Sequence, residues 1–117
     1  MVKTIMIVDD EPDIRSSVKT ILEKEGYKVV SATNADDALK KLATIKPNLI
    51  LLDIMMPGTP VREAVPKMKG VKIAYLSVVR TSEAEKEELT KSKNIVGFIQ
   101  KPFEIKTLIQ NVKKLVG

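Results

Sequence analysis

The chain has 117 residues, 44% hydrophobic and 30% charged, with a formal net charge of +5, which suits one globular domain with its own core. It contains no cysteine and no histidine, so disulfides, thiolate nucleophiles, Ser-His and Cys-His pairs and the usual zinc ligands are excluded. The positive charge does not indicate a nucleic-acid interface: only Lys40-Lys41 and Lys113-Lys114 are adjacent lysines, and three arginines and four aromatic residues supply few base readers or stacking platforms.

Strand and helix signals alternate along the whole chain. Met1-Val2-Lys3-Thr4 has none of the features of a secretory leader, so a cytoplasmic location is expected. Thr4 to Val8 is a short apolar run, as expected of a strand buried on both faces. Asp9-Asp10-Glu11-Pro12-Asp13 ends it and opens a helix, with Pro12 in the first turn and the acids at the positive end of the dipole. Ile14, Val18, Ile21 and Leu22 continue at helical spacing until Gly26. Tyr27 to Val30 reads as a second strand. Asn34 is a good cap for a helix whose stripe is Ala35, Ala38, Leu39 and Leu42.

Asn48 to Leu52 is a third strand, containing the longest apolar run, Leu49 to Leu52, far short of the ~20 residues of a membrane span. Met56-Pro57-Gly58 is a turn. Val61, Ala64, Val65 and Met68 suggest a third helix, kinked or shortened by Pro66 and closed by Gly70. Val71 to Leu76 is a fourth strand. Thr81 or Ser82 is placed to cap a fourth helix over Glu83–Lys91, whose apolar stripe is thin, chiefly Ala84 and Leu89. Ile95 to Ile99 is the fifth strand, and Ile105, Leu108, Ile109, Val112 and Leu115 mark the last helix.

Five strand-helix units with short connections imply an α/β domain over residues 1–117, its parallel sheet covered on both faces. Ligands of such sheets bind beyond the carboxyl ends of the strands. There the first strand gives Asp9-Asp10, the third Asp53, the fourth Ser77 and the fifth Lys101-Pro102. Each residue taken singly has an ordinary structural role open to it, as helix-start acid, turn cap, loop hydroxyl or surface lysine. Converging on one edge, three carboxylates repel and raise each other's pKa unless cations compensate. A lysine and a divalent metal do so, and an all-oxygen site with room for water suits Mg²⁺.

Val8-Asp9-Asp10-Glu11-Pro12, Leu52-Asp53-Ile54-Met55-Met56-Pro57-Gly58, Ser77 and Phe98-Ile99-Gln100-Lys101-Pro102-Phe103 together resemble the receiver domains of two-component response regulators, in order and over essentially the whole chain. The resemblance implies a flavodoxin-like fold with strand order 2-1-3-4-5. It implies Asp53 as phosphoacceptor, taking a phosphoryl group from a histidine kinase, a phosphotransfer protein or a small donor. Asp9, Asp10, Asp53 and the backbone carbonyl of Met55 become ligands of Mg²⁺, Asp10 the more direct of the acidic pair. Lys101 offsets charge on the transferring group, and Lys101-Pro102 is the family's cis peptide. Ser77 and Phe98 become switch residues that reshape the face made by the fourth helix, fifth strand and last helix for an output partner. With no histidine of its own, the chain depends on another protein for phosphohistidine.

Several residues depart from the family pattern. Val78 stands where a small residue is usual, and Met55 and Val79 are apolar beside the path of a hydrolytic water, so a long-lived phosphorylated form is expected. Asn94-Ile95 replaces a common Gly-Ala pair, and asparagine tolerates a left-handed backbone there. A degenerate receiver, binding partners independently of phosphorylation, is disfavoured because every acid and the lysine are kept. An aspartyl-phosphate phosphohydrolase needs a second acid two residues after its nucleophile, where Met55 stands. A receiver portion of a longer regulator remains compatible with the same residues.

Overall fold

The apolar runs pair as a five-stranded parallel sheet in the order β2-β1-β3-β4-β5, the order implied by the resemblance. The computed structural model describes residues 2–78 and 91–116. The strands are β1 Thr4–Val8, β2 Lys28–Ala32, β3 Leu49–Leu52, β4 Lys72–Val78 and β5 Ile95–Lys101. The helices are α1 Pro12–Lys24, α2 Ala35–Leu42, α3 Val61–Ala64, which runs into a 3₁₀ turn Val65–Lys67, and α4 Ile105–Val116. The helix expected over residues 83–91, with its Thr81 or Ser82 cap, lies outside the described residues except for Lys91.

Alternation along each strand divides the core into two layers. Ile5, Ile7, Leu49, Leu51, Ala74 and Leu76 pack with Val18 and Leu22 of α1 and Leu108 and Val112 of α4. Met6, Val8, Ile50, Leu52, Ile73 and Tyr75 pack with Ala35 and Ala38 of α2, Ala64 of α3 and Met68 after the 3₁₀ turn. Burying an aliphatic side chain of this size contributes about 1.5–3 kcal/mol. Two apolar faces therefore anchor the strands firmly enough for their carboxyl ends to carry polar groups. Among the described residues no helix is long and apolar enough to cross a membrane.

Several boundaries differ from the sequence pattern, each for an identifiable reason. β2 begins at Lys28 and runs to Ala32 because it pairs residue for residue with β1, from Thr4↔Lys28 to Val8↔Ala32. β4 and β5 run two residues further than their apolar stretches, through the pairs Ser77↔Gln100 and Val78↔Lys101. Backbone pairing carries these polar residues along the ladder whatever their side chains. Pro66 has no N–H to give an α-helical bond, so α3 stops at Ala64 and the chain tightens, with Met68 N–H donating to the Val65 carbonyl at 3.0 Å.

Ile105, assigned to the apolar stripe of the last helix, is instead 59% exposed, and Val116 joins Leu108 and Val112 on the buried face. Asn94 does not use a left-handed backbone, since no described residue other than glycine has a positive φ. It bridges elements: its Nδ2 donates to the Met68 carbonyl at 2.9 Å, and its own carbonyl accepts from Ile73 N–H at 2.8 Å.

The expected cap on α2 is present, the Asn34 side chain accepting from Asp37 N–H at 2.8 Å. Asn34→Ala is predicted to lower stability by about 1 kcal/mol, with Asn34→Ser retaining most of the wild-type stability, in urea unfolding followed by circular dichroism.

Candidate functional site

The two buried acids are placed by one extra rung of the parallel ladder beyond each strand. Asp9 N–H donates to the Ala32 carbonyl at 3.2 Å, and Asp53 N–H donates to the Val8 carbonyl at 3.0 Å. Asp9 is fully buried and Asp53 is 4% exposed, while Asp10 is exposed. Oxygens of Asp9, Asp10 and Asp53 all lie within 4.8 Å of one another.

Lys101, the last residue of β5, reaches back over this cluster. Its Nζ lies 2.6 Å from Asp9 Oδ2 and 3.7 Å from Asp53 Oδ2. The other oxygen of Asp53 is differently occupied: Oδ1 accepts from the Ser77 hydroxyl at 2.9 Å and from Met55 N–H at 3.1 Å. Asp9 Oδ1 accepts from Glu11 N–H at 2.9 Å, so this acid both opens α1 and faces the cluster. The Lys101–Pro102 bond is cis.

Three carboxylates against one ammonium leave negative charge in excess. Burial pushes the Asp53 carboxyl above its ordinary pKa, and the Asp9 charge adds to the rise; the bonds from Met55 N–H and Ser77 and the charge of Lys101 act in the opposite direction. An arrangement of oxygen donors with surplus negative charge has the chemistry of a hard divalent cation site.

Asp9, Asp53, Ser77 and Lys101 are thus joined by direct contacts, and Asp10 completes the group of acids. Phe98 lies outside the polar cluster. On β5 it is paired with Tyr75 of β4, ring centroids 6.0 Å apart and tilted by 58°. Tyr75 is buried, and its hydroxyl is pushed up to about 12 by that burial. Met55 is 70% exposed and Val78 43% exposed; Val79 lies outside the described residues.

Sequence reasoning missed Arg15, whose Nη1 donates to the Asp9 carbonyl at 2.6 Å. A cation in the opening turns of a helix stands against the dipole, and that misplacement was the available signal.

The family profile for the response regulator receiver domain matches residues 5–113. The chain is 36% identical to the phosphate regulon transcriptional regulatory protein PhoB of Pseudomonas aeruginosa, over 97% of this chain and 52% of that one. It therefore spans about half the length of that regulator. It is 32% identical to sporulation initiation phosphotransferase F of Bacillus subtilis, over 97% of this chain and 94% of that one. Among solved structures, the response regulator TrrA of Thermotoga maritima in complex with Mg²⁺-BeF superimposes with a TM-score of 0.82 at 35% identity, covering 97% and 99% of the two chains. A flavodoxin-like fold with an acidic cluster at its carboxyl edge, matched by that profile, is the arrangement of a receiver-type signalling domain. The chain belongs to the response regulator receiver domain family of two-component signalling.

The charge balance predicts opposite effects from two substitutions in the metal-free protein. Asp53→Asn raises stability at neutral pH by about 1 kcal/mol, because it removes a buried charge that lacks full compensation. The raised pKa of Asp53 favours folding when the group is protonated, and this contribution is lost as pH rises through the raised value. The advantage of Asp53→Asn over wild type therefore shrinks on acidification. Lys101→Met leaves Asp9 buried without its cation and lowers stability by about 3–5 kcal/mol. Urea unfolding of the three proteins between acidic and neutral pH checks both signs.

Proposed function

We propose that this receiver accepts a phosphoryl group on Asp53 and uses it to switch a protein-binding face. The observation that carries the reading is the unequal use of the two Asp53 oxygens. Oδ1 is held by Ser77 and Met55 N–H, while among the described residues Oδ2 is paired only with the more distant Lys101 ammonium. The carboxylate is oriented and one oxygen is left the better nucleophile.

Asp53 Oδ2 attacks the phosphorus of a phosphohistidine on a histidine kinase or phosphotransfer protein, or of a small phosphodonor. The new O–P bond forms as the bond to the donor's nitrogen or oxygen breaks, and the departing group carries away the electron pair and takes up a proton. Lys101 brings a fixed positive charge to the same side as the incoming group. The carboxylates of Asp9, Asp10 and Asp53, with the Met55 carbonyl, are the groups that would hold Mg²⁺, Asp10 being the exposed and most direct one. Bound there, the ion supplies charge compensation to the phosphoryl oxygens.

After transfer, the Ser77 hydroxyl turns from the Asp53 oxygen to a phosphoryl oxygen. Ser77 is two residues from Tyr75 on β4, and Tyr75 packs on Phe98, so its movement reaches the aromatic pair through one strand. A repacked Phe98 changes the face around β5 and α4 that meets an output protein. In this reading residues 1–117 act as one receiver unit in the cytoplasm, a phosphoacceptor for signalling and not an enzyme with a separate substrate.

The test is incubation with acetyl phosphate and Mg²⁺ followed by intact-mass measurement. Wild type gains one phosphoryl group, Asp53→Asn gains none, and chelation of the metal prevents the gain. Equal modification of wild type and Asp53→Asn would remove the assignment. A wild type that stays unmodified under all donors would favour a phosphorylation-independent binding module.

Lifetime provides a second prediction. Met55 follows the acceptor by two residues and offers no hydrogen-bonding side chain to orient an attacking water. Met55→Asn is expected to speed loss of the phosphoryl group by about threefold once the donor is removed, read by the decay of the phosphorylated mass.

A further inference from the structure

We propose that Arg15 is a positioning residue for the metal site, and that it acts on Asp10 through the peptide plane between Asp9 and Asp10. The inference rests on the reading of Asp9, Asp10 and Asp53 as the Mg²⁺ ligands.

Asp9 is fixed at each of its polar positions. Its N–H donates to Ala32, its Oδ1 accepts from Glu11 N–H, its Oδ2 faces Lys101, and its carbonyl accepts from Arg15. The first three settle the ring of contacts around Asp9 itself. The fourth has a different reach. The Asp9 carbonyl shares a rigid plane with the nitrogen of Asp10, so whatever fixes that carbonyl also fixes the direction in which the chain enters Asp10.

Asp10 has little else to hold it. It is exposed, and its carboxylate makes no hydrogen bond or ion pair among the described residues. Its oxygen nevertheless lies within 4.8 Å of oxygens of Asp9 and Asp53. The bond from Arg15 Nη1 to the Asp9 carbonyl is partly buried and 2.6 Å long, and it comes from the second turn of α1, which is packed on the sheet through Val18 and Leu22. The guanidinium thus ties the acidic loop to a rigid element at the peptide that sets Asp10. Groups that orient metal ligands in this way commonly alter affinity by about 10–100-fold when removed.

Charge gives the opposite expectation, which makes the idea testable by sign. Arg15 is a cation near a site for a cation. If charge were its only influence, neutralising it would tighten Mg²⁺ binding. If it positions Asp10, neutralising it weakens binding.

Calorimetric titration of Mg²⁺ into the metal-free protein distinguishes the two. Arg15→Met keeps the aliphatic stem and removes the donors; it should raise the Kd by about tenfold. Arg15→Lys keeps one charged donor and should fall between Arg15→Met and wild type. In an Asp10→Ala background, Arg15→Met should change the Kd less than twofold, because its target is gone. Thermal melts without metal identify folded variants, and Arg15→Lys alone carries the test if Arg15→Met does not fold. Unchanged or tighter Mg²⁺ binding in Arg15→Met, or in Arg15→Lys where only that variant folds, overturns the proposal. An equal loss with and without Asp10 overturns it too. A wild type that binds no Mg²⁺ removes the metal reading itself and this inference with it.

Discussion

The ion pair between Lys101 and Asp9 is the contact on which the site depends. It brings the last residue of β5 to the residue after β1, although β3 and β4 stand between those strands in the sheet. Without it, two buried acids and a third exposed one face each other with no cation paired to their carboxylates among the described residues. With it, three carboxylates still face one ammonium, and burial above all, with the Asp9 charge, raises the pKa of Asp53. The protein holds this imbalance because two apolar layers fix the strands beneath it. A buried ion pair alone is weak support for stability, since desolvation offsets most of its attraction. The core stabilises the fold, and the fold keeps charge where charge alone would not stay.

That division of labour explains why Ser77 and Tyr75 share a strand. β4 carries a hydroxyl to Asp53 at one position and an aromatic ring into the core two residues earlier. The same period that buries Tyr75 turns Ser77 to the same face of the sheet. Polar chemistry and packing are therefore adjacent steps on one rigid segment, and neither can shift alone.

Much of this was legible in the order of residues. Uninterrupted apolar runs gave the strands because both faces are covered, and Asn34, Pro12 and Gly26 marked helix ends through local chemistry that no tertiary contact overrides. The polar cluster was legible because its members follow strands and every strand of a parallel sheet points the same way. What could not be read were features fixed by partners distant in sequence. The length of β5 depends on register with β4, the bridging role of Asn94 on where Met68 lies, and the exposure of Ile105 on which face α4 presents. Arg15 was missed for a different reason, since its partner is a nearby backbone carbonyl and carries no side-chain signature.

The bond from Lys101 to Asp9 closes a separation of 92 residues. Nearly the whole chain must be in place before Asp9 and Asp53 have their cation, and the strand that delivers Lys101 joins the sheet at its far edge. A chain lacking β5 has the acids but not the ammonium that faces them. On the proposed function, competence to receive a phosphoryl group is in this way tied to completion of the sheet.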